Sequence, residues 1–289
     1  MKKMVVPIGK FIYNFLFHLL RILKRLPFVL LKPSNLFSKT DYLFIISHMR
    51  SRSTVLAHIL GSNPGIWGYS ELHNSYSGRL SLLKMKVDLC NSLDCEFKDK
   101  YLLDKLLHNQ YVVSKKIYDV AKPKILFLLR KPESTIKSMI HMGHLVGINW
   151  YKDPILAMEY YCSRLLDMEA YAKNVAGDFF FIESEELVNH TIPVLESLSR
   201  WLKLPEPLQK EYSQFRNTGG KGHGDPSANI KTGILKKTTK HSHIHIPQEV
   251  LDPARLAYDR CREKLVELSG CRTEPLNSVT GSLLNGRIE

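Results

Sequence analysis

"YLFIISHMRSRSTVLAHIL", Tyr42 to Leu60, passes from an apolar run through a polar turn into renewed apolar spacing. Tyr42 to Ser47 reads as a buried strand and Ser53 to Leu60 as a helix. Between them stand Arg50 and Arg52 with the hydroxyls of Ser51, Ser53 and Thr54. A strand end, a tight turn and a helix N-terminus form an anion site, because first-turn amides have no intrahelical partner and the helix dipole adds positive potential. The turn therefore predicts a phosphate-like ligand. G-x-x-x-x-G-K-[ST] is absent, and with it the specific case for ATP or GTP with magnesium. On this stretch alone, Ser53 as an N-cap beside solvated arginines is the competing reading.

A second motif lies at "KILFLLRKPESTIKSMI", Lys124 to Ile140. A strand ends at Arg130, Pro132 opens a helix, and Ser138 sits one to two turns into it. Arg130 and the Ser47 to Thr54 turn then share the crevice at the carboxyl ends of parallel strands, where open α/β sheets bind ligands. Two anion sites in one crevice suggest a nucleotide with two separate phosphate groups.

Further strands are expected at Tyr111 to Ser114, Lys124 to Leu129 and Asp178 to Ile182, and further helices at Pro132 to Met142, Pro154 to Val175 and Ile192 to Leu202. Near-continuous apolar strands separated by helices predict an α/β fold, a P-loop-like parallel sheet with helices on both faces. "NTGGKGHGDPSANIKTG", Asn217 to Gly233, has five glycines, two lysines and a single acid, which favours an anion-binding loop.

The chain has 289 residues, 44% of them hydrophobic, and a net charge of +13, so it can bury a large core and its partners are expected to be anionic. Five widely spaced cysteines without a C-x-x-C pair indicate neither a disulfide framework nor a zinc site, which favours a reducing, cytoplasmic setting. In residues 1–33, Lys10, Asn14, Arg21 and Arg25 share a helical stripe opposite Phe11, Phe15, Leu19 and Ile22. The apolar stretches are too short to span a bilayer. Two readings stand for this basic amphipathic helix: peripheral attachment to an anionic membrane, or a cover for the domain's own core. Residues 40–275 are expected to form the catalytic domain and 276–289 a flexible tail.

The paired motifs resemble the sulfotransferases that use 3'-phosphoadenosine 5'-phosphosulfate (PAPS). "HMRSRSTVL" is similar to their 5'-phosphosulfate loop, P-R-S-G-[ST]-T, and "RKPESTIKS" to their 3'-phosphate motif, an R-x-P with a serine eight positions after the arginine. "FFFIESEELVNHTIPVLESLSRWLKLP" and "GGKGHGDPSANIKTGIL" carry weaker similarity to the family's later strand, turn and helix and to its cofactor-closing loop. The resemblance spans Tyr42 to Leu235. It implies that Arg50 touches the transferring sulfuryl group, that Ser51, Arg52, Ser53 and Thr54 hold the 5' end, that Arg130 and Ser138 hold the 3'-phosphate, and that Gly220 and Lys221 close over the donor. Arg52 stands where the family commonly has glycine, so the turn is expected either to be right-handed there or to approach the phosphate differently.

Sulfuryl transfer works by positioning and charge neutralisation, so no metal is required, but an acceptor hydroxyl must lose a proton. In the P-R-S-G-T-T type a glutamate after the loop helix often serves, which places Glu71 as the base, with His73 in reserve. The expected acceptor is a glycan, a lipid or a small metabolite, and no specific nucleic acid. His48 could donate to the anion or simply pack; Lys115 and Lys116 could bind ligand or stand solvated; Trp67, Tyr69, Trp150 and Tyr151 could stack a ring or fill the core. His241, His243 and His245 alternate in "HSHIHIP", which would align three imidazoles on one face of an extended segment, a weak metal pattern without a carboxylate or cysteine. The rival readings are a P-loop phosphotransferase, which needs a loop lysine and an acidic magnesium ligand, and a basic membrane- or nucleic-acid-binding protein, whose affinity would fall steeply with salt.

Overall fold

A computed structural model describes residues 39–92, 98–220, 224–237 and 241–272. Residues 1–33, Lys221 and the tail 276–289 lie outside the described residues. The centre is a six-stranded parallel sheet of order β2-β3-β1-β4-β5-β6. Its strands are β1 Asp41–Ser47, β2 Ile66–Trp67, β3 Tyr101–Leu106, β4 Lys124–Leu129, β5 Phe179–Glu183 and β6 Cys271–Arg272. β1 pairs with β3 from Asp41 opposite Tyr101, and with β4 from Leu43 opposite Lys124. The chain thus builds outward from β1 to one side, then returns to the other. That reversal opens a crevice at the carboxyl ends of β1, β3 and β4, as in other doubly wound sheets.

Both faces of the sheet are covered, which is why its central strands read as unbroken apolar runs. Alternate residues of β1 divide between two cores: Phe44 and Ile46 face one side, Leu43 and Ile45 the other. The Leu43 side is packed by α1 (Ser53–Gly61) and α8 (Thr191–Leu202). The Phe44 side is packed by α2 (Arg79–Ser92), α4 (Pro132–Val146), α6 (Pro154–Asn174) and α9 (Gln248–Leu268). Shorter helices are α3 (Lys115–Ala121), α5 (Asn149–Lys152) and α7 (Ser184–Asn189).

Local chemistry sets the helix starts. Asp153 caps α6 by accepting from the amides of Ile155 and Leu156, with Pro154 at the first position. Pro132 opens α4, and Gly147 closes it in the left-handed conformation. Among the described residues, no helix is long and apolar enough to cross a membrane.

Three expectations are corrected. Tyr111 to Ser114 is not a strand; Val113 makes an isolated bridge to Tyr76, and Ser114 caps α3 by accepting from the Ile117 amide. Lys115 and Lys116 therefore begin an exposed helix, Lys115 pairing with Asp119 instead of facing the crevice. The strand beside β1 is Tyr101–Leu106, whose Asp104–Lys105 doublet interrupts the apolar pattern that would have announced it. Cys90 takes part in a disulfide, a bond the cysteine spacing did not indicate; Cys162 and Cys261 are free thiols.

Candidate active site

The turn after β1 is built on backbone that side chains rarely adopt. Arg50 (φ 61°) and Arg52 (φ 71°, ψ 14°) are both left-handed, at a cost of about 1 to 2 kcal/mol each. Arg52 thus keeps the conformation that glycine would take, not the right-handed one. The rest of the structure fixes it there: its Nη1 donates to Ser184 Oγ at 2.8 Å and lies 3.5 Å from Glu185 Oε1, at the start of α7. Ser47 Oγ donates to the Leu128 carbonyl (2.6 Å) and shares a hydrogen bond with Ser51 Oγ (2.7 Å), which ties the turn to β4. Ser51, Ser53 and Thr54 are all buried in it.

Three guanidiniums converge over this turn. Arg130, at the end of β4, donates through Nη1 to the Arg50 carbonyl (2.7 Å), and Arg50 Nε donates to Ser138 Oγ on α4 (3.0 Å). The anion residues read from two separate motifs therefore meet physically. Arg130 Nε is buried without a hydrogen-bond partner, as is Glu185 Oε2; Arg130 Nε and Glu185 Oε1 stand 3.9 Å apart. Burial, and then the neighbouring Arg52, pull the Arg130 guanidinium down to about 9. Such a cluster is short of negative charge.

The glycine-rich loop folds onto the same place. A Cβ on Gly224 (φ 104°) would stand 2.6 Å from Thr54 Oγ1, so only glycine permits this approach. The next residue, Asp225, accepts from both Nη1 and Nη2 of Arg50 at 3.3 Å and from the Ser227 amide at 3.0 Å. Although burial alone would raise its carboxyl, Arg50 and Ser227 hold it below the ordinary range. Gly220 closes a turn with its amide on the Asn217 carbonyl (3.0 Å).

Glu71 lies in the loop after β2. Its Oε1 is 3.1 Å from Lys105 Nζ, and Lys105, with a fully buried side chain, also donates to Thr54 Oγ1 at 3.0 Å. One ammonium thus joins the carboxylate to the turn after β1. His73 Nδ1 is 3.9 Å from Glu71 Oε2. Beneath them Asp104 accepts from the Leu72 and Lys105 amides (2.9 and 2.8 Å) and from the Tyr76 hydroxyl (2.6 Å); burial pushes its carboxyl up to about 6. Sequence reasoning missed Lys105. Its signal was a charged doublet inside an otherwise apolar run.

No family model and no curated protein sequence matches the chain. Among solved structures it is similar to the sulfotransferase domain from the curacin biosynthetic pathway, with 20% identity and a TM-score of 0.54 over 78% of this chain and 98% of that one. It is also similar to the sulfotransferase domain from the Synechococcus PCC 7002 olefin synthase, with 19% identity and a TM-score of 0.55 over 78% of this chain and 95% of that one. The chain has the sulfotransferase fold.

On that fold His48 is a packing group. Its ring is fully buried, Nε2 accepts from the Arg130 amide (3.1 Å), and Nδ1 therefore carries the proton toward the Met49 carbonyl (2.9 Å). Burial drives its pKa down to about 3, so it stays neutral and adds no charge to the cradle. A depressed histidine contributes stability that is present above its unfolded value of about 6.5 and lost as pH falls toward the folded value. The stability difference between the wild type and His48→Gln should therefore shrink by about 2 to 3 kcal/mol from pH 7 to pH 4.5, read by urea unfolding at both.

Tyr69 is likewise core, stacked on Phe215 at 4.2 Å, and Trp67 lies beneath the Lys100 ammonium. Tyr151 instead reaches the turn after β1, its hydroxyl 3.4 Å from the Met49 sulfur, and Trp150 packs edge-on against the Tyr151 ring. His241 does not continue an extended face: its backbone is left-handed (φ 90°), its ring packs 4.2 Å from that of His141 on α4, and His243 is 6.4 Å away. No group of three or more metal-ligating side chains that could hold an ion occurs among the described residues.

Proposed function

We propose that the chain transfers a sulfuryl group from PAPS to the hydroxyl of a glycan, lipid or small metabolite. The observation that carries this reading is the cradle of Arg50, Arg52 and Arg130 at the carboxyl ends of β1 and β4, with Arg130 Nε buried and without a hydrogen-bond partner. A buried donor without a partner is costly, and a phosphate oxygen would satisfy it. The sulfotransferase fold and the left-handed turn at Arg50 and Arg52, whose amides suit an anion, support the same choice.

PAPS would supply an activated sulfuryl group on a phosphate leaving group. Arg130 and Ser138 hold the 3'-phosphate, and Ser51, Arg52, Ser53 and Thr54 hold the 5' end. Glu71 takes the acceptor proton as the acceptor oxygen bonds to sulfur; Arg50 neutralises the charge that appears as the sulfur to bridging-oxygen bond breaks. Lys105 orients the Glu71 carboxylate against Thr54, so base and donor loop move as one unit. Gly220 and Lys221 belong to the loop that closes over the donor. Sulfate incorporation from labelled PAPS into host extracts tests the reading; absence of labelled product together with absence of adenosine 3',5'-bisphosphate binding overturns it.

Asp225 holds Arg50 with a carboxylate where the reading requires a ligand anion. Asp225→Asn is expected to tighten adenosine 5'-phosphosulfate, which carries the sulfuryl group that Arg50 serves, about 2- to 5-fold, the size of a partly exposed ion pair, as read by calorimetry. Weaker binding would instead mark Asp225 as part of the closed complex.

A kinase-like reading lacks its lysine in the turn, and magnesium-dependent ATP binding without bisphosphate affinity would favour it. Peripheral membrane contact through residues 1–33 is part of the proposal; unchanged liposome binding after deletion of the residues before Pro33 removes it.

A further inference from the structure

We propose that three side chains of α6, Tyr160, Tyr161 and Arg164, are the positioning residues of this site, gripping the backbone of the three strand ends that carry its chemistry. What those ends hold rests on the sulfuryl-transfer reading; the grip itself does not.

The Tyr160 hydroxyl accepts from the Met49 amide at 3.0 Å and donates to the Leu107 carbonyl at 2.7 Å. A single oxygen thereby locks the turn after β1 to the segment after β3. One helical turn on, and so on the same face, the buried Arg164 donates through Nε to the Ser47 carbonyl (2.8 Å) and through Nη2 to the Leu106 carbonyl (2.7 Å). It clamps the same two strand ends one and two residues earlier. Its remaining arm, Nη1, donates to Asn109 Oδ1 at 3.2 Å. Tyr161, fully buried, turns to the third end: its hydroxyl donates to the Arg130 carbonyl at 2.6 Å, and its ring meets the His48 ring edge-on at 4.9 Å. Thr135 Oγ1 reaches that carbonyl only at 3.5 Å.

These contacts bracket the chemistry. Ser47 and Met49 flank the start of the Arg50 turn, Leu106 and Leu107 follow Lys105, and Arg130 is itself the 3'-phosphate ligand of the proposed reaction. The carbonyls and amides gripped here stand at strand ends, where the sheet ladder stops supplying partners, so the α6 side chains take over from it. Because α6 is anchored at its own start by Asp153, it sets the mutual distances of three loops that are far apart in sequence. Transfer chemistry responds steeply to such distances: a misplacement of about 1 Å can cost about 100-fold.

Tyr160→Phe and Tyr161→Phe each delete one oxygen and leave the ring in place, which keeps the fold available to measurement. Tyr160→Phe is expected to lower kcat about 10-fold, to leave adenosine 3',5'-bisphosphate affinity within about 2-fold, and to accelerate hydrogen exchange at the Met49 amide while exchange in β4 stays unchanged. Tyr161→Phe should weaken the bisphosphate about 5- to 10-fold, yet leave adenosine 5'-phosphosulfate, which lacks the 3'-phosphate, as tightly bound as in the wild type. Wild-type kcat together with unchanged Met49 protection in Tyr160→Phe overturns the clamp, as does equal loss of both nucleotides in Tyr161→Phe. Should the wild type bind neither nucleotide, the sulfuryl-transfer reading falls, and the exchange at Met49 still decides the clamp.

Discussion

Arg50→Ala is expected to lower turnover about 100- to 1,000-fold, the range for removing a group aimed at charge that develops in the transition state. The same variant should bind adenosine 3',5'-bisphosphate nearly as well as the wild type, because on this reading Arg50 serves the sulfuryl end. Arg130→Ala should do the reverse. Its guanidinium reaches the Arg50 carbonyl and retains a buried Nε without a hydrogen-bond partner, so its loss is expected to weaken the bisphosphate at least about 10-fold and to spare adenosine 5'-phosphosulfate. Calorimetry with the two nucleotides, beside single-turnover rates, separates the variants. Retained turnover in both would remove these arginines from the mechanism.

Glu71→Gln carries the second large effect. Gln keeps the shape and the contact toward Lys105 but cannot take a proton, so kcat should fall about 100- to 10,000-fold while donor affinity changes little. His73→Asn provides the contrast. His73 stands 3.9 Å from Glu71 with a half-exposed side chain, and its replacement should cost no more than a few-fold. If His73→Asn is instead the more damaging change, the base is the histidine.

The crevice at the ends of β1 and β4 was legible because its parts are local. An apolar strand, a hydroxyl-rich turn and a helix start follow one another along the chain, and the R-x-P with its distant serine repeats that logic on the neighbouring strand. β3 was hidden, since Asp104 and Lys105 break the apolar run that marks a buried strand; both are tolerated inside only because Tyr76, two amides, Glu71 and Thr54 satisfy them. Tyr111 to Ser114 showed β-branched character without a ladder to join. For Arg52 the family pattern predicted glycine-like difficulty, but not that Ser184 and Glu185 would fix an arginine in the left-handed region.

By itself the sequence determined which residue types would gather at the strand ends, and the order in which strands and helices present them, because periodicity, capping and turn chemistry act over a few residues. Only the tertiary structure decided what those residues touch. Asp225 reaches Arg50 across 175 positions, Arg164 reaches Ser47 across 117, and Lys105 finds Thr54 across 51. Such contacts are set by strand order and by the packing of α6 over the strand ends. No local pattern encodes them.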